Sequence, residues 1–243
     1  MDLVLSVQEG GDLSDPVVGP YMWLVPVLPF IATVIIGFFG KRMPSRGHTI
    51  GIAAVGIGFF LSLIGFAELA GGASGVEKSW IWFDFEGGLE LEFGYNYDFL
   101  TGVMFLVVTI VSLLVQIYST GYMHDDKRYT WFYAALSLFT GSMLLLVAAN
   151  NLLLMLVGWE GVGVCSYFLI GHYWEEKEYS SAAIKAFITT RLGDVGFIFG
   201  IFAMFIIGHT FNIVELNHLA EEGEIGGTSL TIAAVLLFCG AVG

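Results

Sequence analysis

The chain has 243 residues, of which 56% are hydrophobic and 13% charged, and its mean hydropathy is +0.80. A soluble domain cannot bury this much apolar surface, so the composition predicts an all-α protein with several membrane-spanning helices. A membrane β-barrel is excluded because only one stretch of the chain alternates between apolar and polar residues. The formal net charge of −13 argues against binding to nucleic acid or to anionic lipid.

No nucleotide-binding or cluster-binding pattern is present in the sequence. It contains neither a GxxxxGK[ST] loop nor a GxGxxG motif after a strand. The two cysteines, Cys165 and Cys239, lie in apolar runs and are too few to hold an iron–sulfur cluster. We therefore expect no cofactor and no metal in this chain. Residues 1–19 carry acidic residues but no Lys or Arg, which excludes a signal peptide.

Seven apolar segments follow one another along the chain, at about 21–39, 49–70, 98–119, 130–149, 151–171, 183–208 and 228–243. A helix needs about twenty residues to cross a hydrocarbon core about 30 Å thick, and the first six segments are of that size. The seventh is still apolar at Gly243, so we expect the sequence to stop within a membrane helix. The predicted organisation is an external tail, residues 1–20, followed by a transmembrane helical domain, residues 21–243.

The basic residues indicate an orientation. Of the nine basic residues, Lys78 lies in the loop after segment two and Arg191 lies inside segment six. The other seven lie in the loops after segments one, three and five or at the start of segment six: Lys41, Arg42, Arg46, Lys127, Arg128, Lys177 and Lys185. Because basic loops remain in the cytoplasm, this asymmetry predicts an external N-terminus, with the protein in a bacterial cytoplasmic membrane.

The stretch WIWFDFEGGLELEFGYNYD, residues 80–98, alternates with a period of two and predicts a short β-hairpin outside the membrane, between helices two and three. A two-residue turn would set Phe85 opposite Glu90 and mix the two faces. A three-residue loop, residues 86–88, pairs Phe85 with Leu89 and is therefore preferred. We expect this hairpin to be a structural cap across the outer ends of the helices.

Glu160 is the one charged residue in LLLMLVGWEGVGVCSYFLIG, residues 152–171. It lies about 14 Å into segment five, near the membrane midplane, if the segment is helical. A charge at that depth costs about 2.5–3.5 kcal/mol on insertion scales, which favours a functional role. Nearby glycines permit close helix packing or leave room for water around the carboxylate.

Segment six carries a second pair of charges in KAFITTRLGDVGF. Arg191 and Asp194 are three residues apart, so they share a helix face and can pair. Asp194 lies at nearly the depth of Glu160, which predicts one buried cluster of all three. Such a cluster can be a proton relay, or a static ion pair that fixes helix packing. Lys185, at the start of segment six, and His172, at the cytoplasmic end of segment five, are further candidates for proton transfer.

The sequences NNLLLMLVGWEGVGVCSYFLIGHYWE (150–175) and KAFITTRLGDVGFIFGIF (185–202) resemble the antiporter-like L-type (largest) membrane subunit of respiratory complex I, the proton-pumping NADH:quinone oxidoreductase. The stretch 93–126 fits the same family. The resemblance implies that this chain is the N-terminal part of a longer helical subunit built from inverted repeats. It also implies proton translocation without redox chemistry in this chain itself. NADH, FMN, iron–sulfur clusters and quinone would bind to partner subunits.

The resemblance also implies roles for individual residues. Glu160 matches a principal proton-path glutamate of the family, and Arg191 and Asp194 match residues that modulate it. The family's next intramembrane lysine would fall just beyond Gly243. The expected partners are the other membrane subunits of complex I and the lipid bilayer.

Two related classes and one unrelated class remain as alternatives. Mrp-type cation/proton antiporters and membrane-bound hydrogenases contain similar subunits, but the WEGVGVCSY and TTRLGDVGF forms favour complex I. The third alternative is a structural membrane scaffold whose charges only hold helices together.

Overall fold

The computed structural model of the chain describes residues 16–85 and 89–243. For residues 82–85 and 89–91, in the hairpin, it describes the backbone only. Most of this part is helical. The helices are α1 (Leu24–Phe39), α2 (His48–Ala70), α3 (Phe99–Tyr122), α4 (Tyr129–Ala148), α5 (Leu152–Ile170), α6 (Lys177–Gly208), α7 (Ile213–Glu221) and α8 (Gly227–Val242), and two strands, β1 (Val76–Phe85) and β2 (Leu89–Tyr97), form a hairpin. The prediction for the tail, residues 1–20, falls mostly outside the described residues.

Six helical stretches in the described part are long and apolar enough to cross a membrane: α2 to α6, and α1 with the 3₁₀ turns on either side of it. The seventh, α8, is apolar but has only 16 residues. Every predicted segment therefore corresponds to a helix, and the prediction of a polytopic all-α membrane protein with a small hairpin is confirmed.

Helix α6 begins at Lys177, six residues before the predicted start of segment six. The stretch from Lys177 to Ala183 is polar, which favoured a loop assignment, but Lys, Glu and Ala are good helix formers. With 32 residues the helix is about 48 Å long, so its exposed first turns extend beyond an apolar core about 30 Å thick.

The short helix α7 was not predicted from the sequence. It begins after Asn212, whose side-chain oxygen accepts hydrogen bonds from the backbone N–H groups of Val214 and Glu215. This cap satisfies two donors that a helix start leaves unpaired. Its nine residues are too few and too polar for a membrane span, so a hydropathy pattern does not reveal it.

The chain forms two compact units, and the first, unit 1, contains α1 to α4 and the base of the hairpin, within residues 16–78 and 95–148. Helix α1 packs against α2 and α4, and α3 packs against α2 and α4. The core between them is apolar and includes residues from the strands as well as from the helices: Met22, Val25, Val76, Tyr95, Tyr97, Phe105, Leu144 and Ala148.

The base of the hairpin is anchored to the start of the chain's first helical region. The Tyr95 hydroxyl donates to the carbonyl oxygens of Gly19 at 3.2 Å and Pro20 at 2.9 Å. Tyr95 is only 4% exposed, and burial raises its pKa to about 12. These contacts agree with a capping role for the hairpin base. The predicted three-residue loop, 86–88, lies outside the described residues, and the strands end at Phe85 and begin again at Leu89 on either side of it. The pairing of Phe85 with Leu89 stays a prediction.

The second unit, unit 2, contains residues 79–94 and 149–243, with α5 to α8. Helices α6 and α8 approach so closely that several glycines leave no room for a side chain. A Cβ added at Gly196 would lie 2.7 Å from Cys239 Cβ, and one at Gly240 would lie 2.8 Å from Phe197 Cβ. Small residues thus permit close packing of these two helices.

Substitution of Tyr95 by Phe tests the anchor of the hairpin. We expect a loss of about 0.5–1.5 kcal/mol in unfolding free energy, because two carbonyl groups lose their shared donor. Tyr118→Phe is the control, since Tyr118 is 70% exposed. The unfolding free energy of the wild type should also fall towards that of Tyr95→Phe as the pH rises from about 10 through about 12. The reason is that the pKa of Tyr95 is higher in the folded state, so the phenol contributes to stability only while it is protonated. Thermal unfolding of the two variants checks this, and equal midpoints would contradict it.

Candidate functional site

The start of α5 is fixed by a cap that also ties it to other parts of unit 2. The Asn151 side chain accepts from the backbone N–H of Leu154 at 2.8 Å and donates to the carbonyl of Glu92 at 2.9 Å. Asn151 also forms an antiparallel bridge with Asn212, the cap of α7. Because the first turn is held in this way, the position of every later residue of α5 is determined. Glu160 is the ninth of its 19 residues, halfway along the helix.

Glu160 on α5 and Arg191 on α6 form an ion pair through Oε2 and Nη1. The same Nη1 lies 3.3 Å from Oδ2 of Asp194, one turn further along α6. One guanidinium therefore lies between two carboxylates, one from each helix. The structure brings together the three residues that the sequence predicted to cluster.

Asp194 has a second hydrogen-bond donor, which the sequence analysis missed. The Trp159 indole Nε1 donates to Asp194 Oδ1 at 2.7 Å, and its ring lies 5.0 Å from the ring of Phe197. An indole N–H halfway along a membrane helix has no water to bind, so it needs an acceptor in the protein. The position of Trp159, next to Glu160 and far from either interface, was the signal that could have identified it.

Two further residues accommodate the guanidinium of Arg191. A Cβ added at Gly163 would lie 3.3 Å from Arg191 Nη2, so the missing side chain leaves the space that the guanidinium uses. The ring of Phe187, one turn before Arg191, lies 4.6 Å from its Cζ, close enough for a cation–π interaction. The guanidinium is thus held by its two carboxylate partners, by the space beside Gly163 and by the ring of Phe187.

The side chains of the cluster differ in exposure. That of Asp194 is 6% exposed, against 25% for Arg191 and 33% for Glu160. Asp194 accepts hydrogen bonds from both Trp159 and Arg191, and this arrangement holds its carboxylate in place. Of the two acids, Asp194 is therefore the more enclosed and Glu160 the less enclosed.

The structure does not bring Lys185 or His172 into this cluster. Lys185 is exposed and lies six residues before Arg191, about 9 Å along the helix axis. His172 is buried, but it lies in the turn after α5, beyond the ten residues, about 15 Å, that separate Glu160 from the end of the helix. Its ring packs edge-on against Tyr173. Their roles in proton transfer remain predictions from the sequence.

Fold and site together define a class of protein. The chain is an integral membrane protein with an ionisable cluster inside its apolar helices. Ionisable residues at such depth are typical of proteins that move ions or protons across the bilayer, because a charge there is too costly to be retained without a use.

Comparison with known proteins narrows this class to a family. Residues 149–243 match the family described as NADH:quinone oxidoreductase/Mrp antiporter, TM, and residues 82–133 match that described as NADH-ubiquinone oxidoreductase (complex I), chain 5 N-terminus. The NAD(P)H-quinone oxidoreductase subunit 5 of the Paulinella chromatophora chromatophore is 39% identical over 230 residues, which are 90% of this chain and 34% of that relative. The chloroplast subunit 5 of Adiantum capillus-veneris is also 39% identical, over 91% of this chain and 32% of its own length.

Two solved structures share the fold. An archaeal membrane-bound sulfane sulfur reductase superposes with a TM-score of 0.74 at 18% identity, over 90% of this chain and 44% of that one. Respiratory complex I from Thermus thermophilus superposes with a TM-score of 0.65 at 19% identity, over 89% of this chain and 42% of that one. The chain belongs to the family of antiporter-like membrane subunits of NADH:quinone oxidoreductase. It spans about a third of the length of the curated relatives it matches.

Substitution of Arg191 by Met tests the cluster. The change leaves two carboxylates inside the membrane helices without their shared cation. We expect a loss of about 3 kcal/mol in stability, the lower end of the range for breaking a buried pair, because the guanidinium is 25% exposed. Lys177→Met is the control, since it removes an exposed cation from the same helix. Thermal unfolding of the purified membrane complex measures both variants, and equal midpoints would show that Arg191 does not hold the cluster together.

Proposed function

We propose that this chain is part of a proton-translocating membrane subunit of an NADH:quinone oxidoreductase, and that protons pass through the cluster of Glu160, Arg191 and Asp194. The observation that carries the proposal is the single guanidinium shared by two carboxylates on neighbouring helices. With both acids ionised the cluster carries one net negative charge. The uptake of one proton makes it neutral, which a medium of low polarity favours.

We propose a different part for each residue, and the geometry of the cluster supports this division. Glu160, the more exposed acid, accepts and releases the proton. When Glu160 is protonated, Arg191 remains paired with Asp194, whose position is fixed by the Trp159 N–H. When Glu160 loses its proton, it pairs again with Arg191. The position of the guanidinium between the two carboxylates therefore changes together with the protonation state of Glu160.

The names of the relatives support a proposal about partners and cofactors. These are named as subunit 5 of NAD(P)H-quinone oxidoreductases, and one fold neighbour is a respiratory complex I. We propose that the subunit assembles with other membrane subunits, and that NADH, FMN, iron–sulfur clusters and quinone bind to partner subunits. Proton transfer through this chain is then driven by redox chemistry elsewhere in the complex.

We propose an external N-terminus and a bacterial cytoplasmic membrane as the location. The seven basic residues on one side of the predicted segments support the orientation. A cysteine placed at Ser45, in the loop between α1 and α2, should react with a membrane-impermeant thiol reagent only after the cytoplasmic side is opened. Labelling of intact cells at this position would contradict the orientation.

Substitution of Glu160 by Gln tests the function. The amide keeps the size of the side chain but cannot carry a proton, so we expect proton pumping per NADH oxidised to fall several-fold in vesicles that contain the assembled complex. Glu178→Gln, at the exposed start of α6, is the control for the loss of an acid and should pump as the wild type. Full pumping by an intact Glu160→Gln complex would refute the relay and leave the scaffold alternative. Copurification with hydrogenase subunits or with Mrp-type antiporter subunits, rather than NADH-oxidising ones, would favour those alternatives.

A further inference from the structure

Three buried polar side chains of unit 1, among the described residues, have unused hydrogen-bonding capacity. One is Tyr97 in the apolar core, and the other two lie close to each other. Gln116 of α3 and Ser137 of α4 are both fully buried, at 0% exposure. Within the part of the chain that the structure describes, Gln116 Oε1, Gln116 Nε2 and Ser137 Oγ have no hydrogen-bond partner. Native proteins rarely leave such groups unpaired, because a buried donor or acceptor without a partner is destabilising.

Both side chains border the same space, next to Gly51 of α2. A Cβ added at Gly51 would lie 2.8 Å from Gln116 Oε1 and 3.1 Å from Ser137 Oγ. Because glycine has no side chain, the interface of three helices is lined at this point by two polar groups instead of by apolar atoms. The unused donors and acceptors are therefore gathered in one place.

Four other buried hydroxyl groups of this unit behave differently. Each donates to the carbonyl oxygen four residues earlier in its own helix, at 2.6–3.0 Å: Ser62 to Gly58, Thr109 to Phe105, Ser119 to Val115 and Thr140 to Leu136. This local bond is the usual way in which a hydroxyl is satisfied inside a helix. Within the described residues Ser137 makes no such bond, so its hydroxyl can bind a ligand beside Gln116.

We propose that unit 1 binds a water molecule between Gln116 and Ser137, beside Gly51. The site offers a donor and an acceptor on the Gln116 amide and a hydroxyl that can be either. Water both donates and accepts, and a buried water typically makes about three hydrogen bonds, which matches this set. A metal cation fits the two oxygens but is repelled by the amide N–H₂ group. The proposal does not depend on the proposed function.

The water site continues a series of polar groups that reaches the edge of the unit. The Tyr133 hydroxyl donates to the backbone carbonyl of Gln116 at 2.7 Å. The ring of Tyr133 lies 4.9 Å from that of Tyr129, whose hydroxyl is 3.0 Å from Nδ1 of the half-buried His48. His48 is the first residue of α2, so these groups lead from the helix end to the site.

A density map of the membrane complex that contains the full-length chain, at a resolution that shows ordered water, tests the site directly. We expect one non-protein density within about 2.6–3.2 Å of both the Gln116 amide and the Ser137 hydroxyl. An empty gap, with the two side chains bonded to each other, would overturn the proposal. A cation coordinated by oxygen atoms alone would overturn it as well.

Variants provide a second test in the same complex. Gly51→Ala introduces a methyl group into the site and should lower the thermal midpoint, whereas the control Gly56→Ala, whose Cβ would lie 3.8 Å from Leu113 Cδ1, should not.

Gln116→Met and Ser137→Ala should each lower the midpoint, because each leaves the water with fewer partners. The double variant needs no water, so its loss should be smaller than the sum of the two single losses. Strictly additive losses would contradict a shared water.

Discussion

The absence of solvent in the lipid core is the constraint on which this structure depends, and Arg191 is the residue that it affects most. A guanidinium in the middle of a membrane-spanning helix must obtain from the protein what water would otherwise supply. Glu160 and Asp194 provide the charge, Phe187 an aromatic face, and Gly163 the space. The close approach of α5 and α6 follows from this requirement, and so does the gathering of two acids around one base.

The same requirement explains features of unit 1 that have no connection with the charge cluster. Four of its buried hydroxyl groups donate to carbonyl oxygens of their own helices, and the Tyr95 hydroxyl binds the carbonyls of the first 3₁₀ turn. Where local geometry offers no partner, at Gln116, a bound water supplies one. Polar satisfaction thus accounts for the anchored hairpin base, for the cluster and for the proposed water site within one physical argument.

Hydropathy predicted the helices and their order because membrane spans must be long and apolar, and the three members of the charge cluster were predicted because their depths matched. The early start of α6, the helix α7 and the contact of Trp159 with Asp194 were not predicted. The first two depend on capping and propensity in polar stretches, where hydropathy has no signal. The third is a contact between two helices and depends on how they pack. Lys185 and His172 lie outside the cluster, and their part in proton transfer stays a prediction.

Infrared difference spectroscopy of the working complex reports the protonation of individual carboxyl groups and therefore follows Glu160 itself. When NADH and quinone are supplied, we expect a change in a carboxylic acid C=O band that disappears in Glu160→Gln and shifts in Trp159→Phe. If the carboxyl bands of the Glu160→Gln difference spectrum are the same as those of the wild type, proton transfer through this cluster is contradicted.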